Sequence, residues 1–384
     1  MKKRSLFFDT SLIYFIVIIA FVVLRIFTSL VSVGTTVSSL LSVIIQVGIM
    51  FLLPLVLYKF LRKKTTVQML KEFNVKKINA KAVLWAIALG VVVYFLNLAF
   101  ASFFSVFITI AGYDPSFGMA STANGTYPLI NFFGDLVLTA LLPGFCEEFC
   151  HRGLLLNGYK QLGPKKTIIL IGIIFGLMHL NIEQFFYASI IGMFLTLLVY
   201  ITGSIIPSMI VHFLNNAIGL YMTFAMYNNL PFGSFSSNLV ESFQGNIITV
   251  FGTILLIIFL LLGLLVWFTF MLLKSTRVKY YETIIKRAMD KKQRESILSS
   301  FDLNIDEVNS EQGIIEDENA PEVVLGGEIN KNGRRGLVLD INFKTEDIMG
   351  CAIKKPKLIE KMFLYSTIFI GVVITISTFI WGIL

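Results

Sequence analysis

Hydrophobic positions along this chain gather into long, nearly unbroken runs instead of the alternation of a half-buried strand or the narrow stripe of a surface helix. A helix needs roughly 20 mainly apolar residues to cross the hydrocarbon of a bilayer. Runs of that order lie near 12–32, 37–58, 82–110, 130–147, 167–180, 185–201, 205–226, 247–272 and 362–384. They predict an all-α fold, a polytopic transmembrane helix bundle of about nine spans. The first run follows Met-Lys-Lys-Arg, lacks a small-residue cleavage site and is closely followed by a second run, so it reads as an uncleaved first helix. Between the second and third runs, 62–81 mixes Lys with Val67, Met69, Leu70 and Phe73, which suits either a short amphipathic helix at the interface or a solvated loop. The one long polar stretch, 274–357, stands before the last span and reads as a cytoplasmic appendage. Lys279 to Ser300 has helical spacing, an acidic run from Asp306 to Glu318 follows, and no enzyme motif is present; composition does not decide its fold.

Composition agrees with the pattern. The chain is 56% hydrophobic and 15% charged, with a mean hydropathy of +0.79, a balance that needs lipid as its solvent. Its Lys and Arg residues are unevenly placed. Lys2, Lys3 and Arg4, the group from Arg62 to Lys77, and Lys160, Lys165 and Lys166 fall on one side of the predicted bundle, whereas 111–129, 181–184 and 227–246 contain none. By the positive-inside rule the chain is a multi-pass cell-membrane protein with its N-terminus cytoplasmic and its C-terminus external. The net charge of +8 is then a topology signal, and no nucleic-acid partner is expected. Three cysteines give no disulfide framework. Cys146 and Cys150, one helical turn apart, read as small buried residues, and Cys351 reads as a free thiol with juxtamembrane acylation as the alternative.

Ionisable groups inside apolar spans are costly, and here they cluster. The fourth run ends in Cys146-Glu147-Glu148-Phe149-Cys150-His151-Arg152, the fifth contains Phe175-Gly-Leu-Met-His179, and the seventh contains His212-Phe-Leu-Asn-Asn216. If the fourth and fifth helices form a hairpin at Gly163-Pro164, Glu147 and His179 are equally far from the turn and should meet across it. His179 and His212 then lie at similar depth, roughly 18 and 12 Å from their helix starts at 1.5 Å per residue. A carboxylate and two imidazoles meeting inside the membrane suit peptide hydrolysis, which needs a base for water, an acid for the departing amine and donors for the oxyanion. Glu147 with His179 would handle the water. His212 and Asn216, four apart on one helical face, would aim at the oxyanion. The same Glu147, His179 and His212 can instead hold Zn²⁺ in an open three-ligand site with water as the fourth ligand. Both mechanisms stay open at this point.

Taken in order, Glu147-Glu148-x-x-x-Arg152, Phe175-x-x-x-His179 and His212-x-x-x-Asn216 resemble the motifs of the CAAX-protease and bacteriocin-processing intramembrane proteases, the CPBP or Abi family. The turn Thr202-Gly203-Ser204-Ile205 is similar too, and the resemblance covers about 128–220. It implies a catalytic core over 128–226, with Glu147 as general base or metal ligand, His179 beside it, and His212 with Asn216 serving the oxyanion or metal. Glu148 and Arg152 would form a supporting ion pair. The implied partners are the bilayer and a peptide or lipidated membrane-protein substrate, either a prenylated CAAX-type tail or a bacteriocin-like peptide.

Blander readings compete. Glu148 and Arg152 at i and i+4 also suit a simple helix pair, His151 a polar lining position, and Phe175 a packing role beneath His179. Arg25 and Asp135, which interrupt other apolar runs, read as structural. A transporter or proton pathway would use the same buried Glu, Arg and His, but no inverted repeat with matching broken helices is evident. A non-catalytic scaffold or immunity protein would keep the motifs only for packing.

Overall fold

The computed structural model describes residues 4–31, 34–113, 126–233, 251–276, 323–329, 335–341 and 356–383, with no side-chain description for Ser29 or for the two strands. Cys351 and the predicted helix between Lys279 and Ser300 lie outside the described residues. The chain divides into two compact units, 1–273 with 354–384, and 274–353.

The described residues of the first unit are built of helices and their connections, as its hydrophobic runs predict. Its long helices are α1 (Leu6–Leu30), α2 (Thr35–Arg62), α4 (Ala80–Ile110), α5 (Leu129–Leu162), α7 (Ile182–Thr202), α8 (Ile206–Tyr227), α9 (Phe251–Thr276) and α10 (Leu358–Trp381). These eight are long and apolar enough to cross a membrane. The ninth predicted span is a shorter helix, α6 (Pro164–Met178), whose 15 residues extend only about 22 Å at 1.5 Å per residue. It stops because Leu180 adopts a left-handed conformation (φ 54°) and the Asn181 side chain caps the next helix by accepting from the amides of Glu183 and Gln184. His179 therefore sits on the C-cap of α6 and not inside a span.

The basic segment after α2 resolves in favour of a short helix, α3 (Thr66–Glu72), started by a capping box in which Thr65 and Gln68 exchange hydrogen bonds. Its Met69 and the following Phe73 are buried, Phe73 against Tyr58.

Where helices must approach closely, glycine permits it. A Cβ on Gly176 of α6 would strike Ser189 Oγ and come within 2.6 Å of the Phe185 carbonyl oxygen of α7. Gly172, one turn earlier, would meet the Ser189 carbonyl at 2.7 Å. This small-xxx-small face holds α6 and α7 as a tight antiparallel hairpin. Gly144 does the same between α5 and α8, where a Cβ would lie 3.0 Å from the Phe213 backbone nitrogen. Behind the hairpin, Leu89 and Val93 of α4, Leu195 and Leu198 of α7 and Val211 of α8 form a buried apolar cluster. Residues such as Val23, Phe60, Ile130 and Phe259 are left exposed, as a lipid-facing surface requires.

In the second unit the described residues form one antiparallel pair, β1 (Val323–Ile329) with β2 (Arg335–Ile341), in register from Val323 opposite Ile341 to Ile329 opposite Arg335. The all-α expectation thus holds for the bundle, and a small hairpin is added in the polar unit.

Candidate active site

Helix α5 carries the two carboxylates. It is not a uniform α-helix: π-helical turns at Leu136–Leu141 and Phe149–Leu155 flank an α segment, Leu142–Glu148, with Pro143 in its first turn. Helix α2 has a third π stretch, Ile44–Leu52, directly opposite. Such wide turns admit an extra residue per turn and often mark functional sites. Here they bring Gln46 of α2 onto Glu147, with Nε2 donating to Oε1 at 2.9 Å.

Glu147 and Glu148 face different environments. Glu148 is fully buried and binds twice through one oxygen: Arg152 Nη1 donates to Oε1 at 2.7 Å, and His212 Nδ1 lies 2.9 Å from it. Arg152, also fully buried, donates its other terminal nitrogen to the Gly192 carbonyl at 2.8 Å and stacks 4.6 Å above the Phe175 ring. This is a buried charge whose partners are supplied by α5, α7 and α8 together, the condition under which burial of ions is tolerated. Glu147, in contrast, lines a cavity of about 730 Å³, within the range of about 300–1,000 Å³ usual for ligand sites.

That cavity contains most of the set expected from the motifs. Glu147, Phe175, His179, His212 and Asn216 all line it; Glu148 and Arg152 stand behind it. No side-chain hydrogen bond joins Glu147 to His179 among the described residues, so the two meet across shared space and not by direct contact. Phe175 does more than underlie His179. Its ring lies edge-on to His151, His179 and His212 at centroid distances of 5.1, 5.3 and 5.6 Å, and so fixes three imidazoles and one guanidinium at once. Asn216 ends a relay of amides: Asn97 donates to Asn215, Asn215 to Asn216, and Asn216 Nδ2 to the Thr139 carbonyl at 3.2 Å.

Several placements differ from the sequence reading. His151 does not line the cavity. It is completely buried, with Nδ1 at 2.8 Å from the Glu147 carbonyl and Nε2 at 2.9 Å from the Tyr14 hydroxyl, because an i+4 residue on α5 turns toward α1. Arg25, expected to be merely structural, lines the cavity, as does Gln184. Asp135 is structural as expected and accepts from Tyr127. Gln46, Asn97 and Asn215 are not marked by the sequence pattern, because an uncharged amide in an apolar run carries little weight beside Glu or His; Gln46 interrupting an otherwise apolar second span is the available signal.

The donors for Zn²⁺ do not gather. Among the described residues no three His, Cys, Asp or Glu side chains stand together as a metal-ligand group, while the Glu148 contact to His212 Nδ1 leaves Nε2 to the cavity. Glu147, His179 and His212 share a cavity without forming a three-ligand set.

Residues 129–218 match the family model described as Rce1-like, type II CAAX prenyl endopeptidase. The chain carries an Rce1-like domain. The match spans α5 to α8, the helices that supply Glu147, His179, His212 and Asn216, and is consistent with the CPBP family. The matched domain supports an intramembrane endopeptidase at family level, and the apolar helices around it fit a multi-pass membrane protein. No curated protein and no solved structure matches the chain.

Proposed function

We propose that the chain hydrolyses peptide bonds of membrane-associated peptides with Glu147 as general base. The observation that carries this reading is the cavity wall shared by Glu147, His179, His212 and Asn216, with Glu148 and Arg152 held out of it. Glu147 Oε1 is fixed by Gln46, and Oε2 has no hydrogen-bond partner among the described side chains and backbone, which leaves it to take a proton from water. The resulting hydroxide adds to the peptide carbonyl carbon. Because Nδ1–H of His212 is tied to Glu148, Nε2 is the ring nitrogen left to the cavity and donates to the oxyanion when the ring carries a proton on both nitrogens, with a second donor from the Asn216 amide. As the C–N bond breaks, the proton held by Glu147 passes to the amine, with His179 at hand as its relay.

The first test compares membrane-associated peptides in cells carrying the wild type and Glu147→Gln; the peptide that accumulates in the variant then serves as substrate for the purified full chain in liposomes. Loss of a positioned base should lower turnover by about 10²–10⁴-fold, His179→Ala should fall similarly, and a chelator should leave the wild-type rate unchanged. Equal turnover of both variants and wild type would overturn the assignment; inhibition by the chelator, reversed by Zn²⁺, would overturn the metal-free step.

A further inference from the structure

The two ends of the bundle differ in charge, and the cavity belongs to only one of them. One end is defined by contacts among the basic segments: Arg62 Nη1 donates to the Arg4 carbonyl and to Asp9, the Ile205 amide to the Asn74 carbonyl, Ser204 to the Lys76 carbonyl, and Thr167 to the Tyr159 carbonyl. Lys59, Lys63, Lys64, Lys71, Lys77, Lys160, Lys165 and Lys166 stand on these same segments. The opposite end is marked by Asn228 donating to the Tyr127 carbonyl and Ile182 donating to Thr378. The connections at that end, 31–34, 111–128, 179–181 and 228–250, contain no Lys or Arg in the whole sequence.

The cavity runs from about mid-helix, where Met50, Glu147 and His212 line its floor, toward the end away from the basic segments. Arg25 lies late in α1, which starts at the basic end; Gln46 lies early in α2, which runs back toward it. Asn97 is in the later part of α4, Thr139 in the early part of α5, Gln184 in the first turn of α7, and Gly219 in the later part of α8. Six helices of alternating direction thus agree, and His179 and Asn181, at the turn between α6 and α7, close the same end.

From this we infer that the catalytic cavity opens away from the cytoplasm and takes its substrate from the external side: an exported peptide, or the outer segment of a membrane-inserted one. Retention of basic segments in the cytoplasm fixes the basic end as the inner one, so the cavity runs from the middle of the bundle to its outer end. A prenylated CAAX tail, made in the cytosol and anchored to the inner leaflet, lies across the basic end from this opening. Among the described residues Arg25 is the one Lys or Arg that lines the cavity, and its charge is felt at His179. An anionic group of such a peptide, its terminal carboxylate or an acidic side chain, is the complement this mouth offers. The inference rests on the proteolytic reading of the site.

Access is tested on the full chain in cells with a membrane-impermeant maleimide, in a Cys351→Ser background where Cys146 and Cys150 are buried and provide the blank. Gln184→Cys and, independently, Ser42→Cys report the cavity mouth, and Lys77→Cys reports the basic end. Right-side-out membranes should label the two mouth variants at least tenfold faster than Lys77→Cys, and inverted vesicles should reverse that order. Mouth labelling that is faster in inverted vesicles, or absent from both sides in both variants, overturns the inference. Repeated in detergent in place of liposomes, the Glu147 test is indifferent to sidedness, so its failure would reject the protease and a failed labelling test only the direction of access.

Discussion

At the scale of single residues, the two adjacent carboxylates divide their work because their neighbours differ. Glu148 is spent on Arg152 and His212, whereas Glu147 has one oxygen held and one turned to the cavity. The Glu148–Arg152 pair was legible from its i, i+4 spacing. That the same carboxylate also orients His212 was not, since 64 residues separate them and only the approach of α5 to α8 at Gly144 joins them. Gln46 carries the clearest consequence. A hydrogen bond to a charged group is worth about 1.5–3 kcal/mol, so Gln46→Leu should lower kcat by about 10- to 100-fold while KM changes little. Gln46 touches the base and not the peptide. Steady-state kinetics on the purified chain would separate this from a binding role, in which KM rises and kcat is kept.

Among the elements, the α6–α7 hairpin governs the site most directly. The hydrophobic pattern located both helices, and equal spacing about Gly163 anticipated that Glu147 and His179 would share a chamber. It did not anticipate that α6 ends early. Leu180 and Asn181 impose that stop through backbone conformation and capping, which leave no mark on hydropathy. The π turns of α2 and α5 were equally hidden, because an extra residue per turn alters the facing of side chains without changing their apolar character. Since Phe175 and His179 ride on the hairpin, its glycines should be sensitive far beyond their size. Gly176→Val forces α6 from α7, with an overpacking cost of about 1–3 kcal/mol. Thermal unfolding in detergent should show that loss together with a larger loss of turnover, whereas Gly134→Ala, with open space around its Cβ position, should match the wild type in both.

For the whole molecule, composition sets the polar stretch 274–357 apart from the apolar runs, but carries no mark of the strand pair within it. Seven-residue strands among glycines and charges give no pattern that distinguishes them from a linker. The functional weight of the two units can be read from the cavity. Among the described residues its lining begins at Phe21 and ends at Leu220, all of it before α9. The matched domain, 129–218, ends before α9 as well. If hydrolysis depends on that wall alone, replacing 277–353 by a flexible Gly/Ser linker, with α9 and α10 retained, should leave turnover of the purified chain within about twofold, since a linker of this kind behaves as a coil of about 5–6 Å × √n and imposes no fixed spacing on the helices it joins. Helix α10 has to stay, because Thr378 accepts from the Ile182 amide at the start of α7 and a Cβ on Gly371 would press within 2.9 Å of Leu177 on α6. Loss of turnover with normal thermal stability would instead assign the polar unit a part in catalysis that the cavity wall does not reveal.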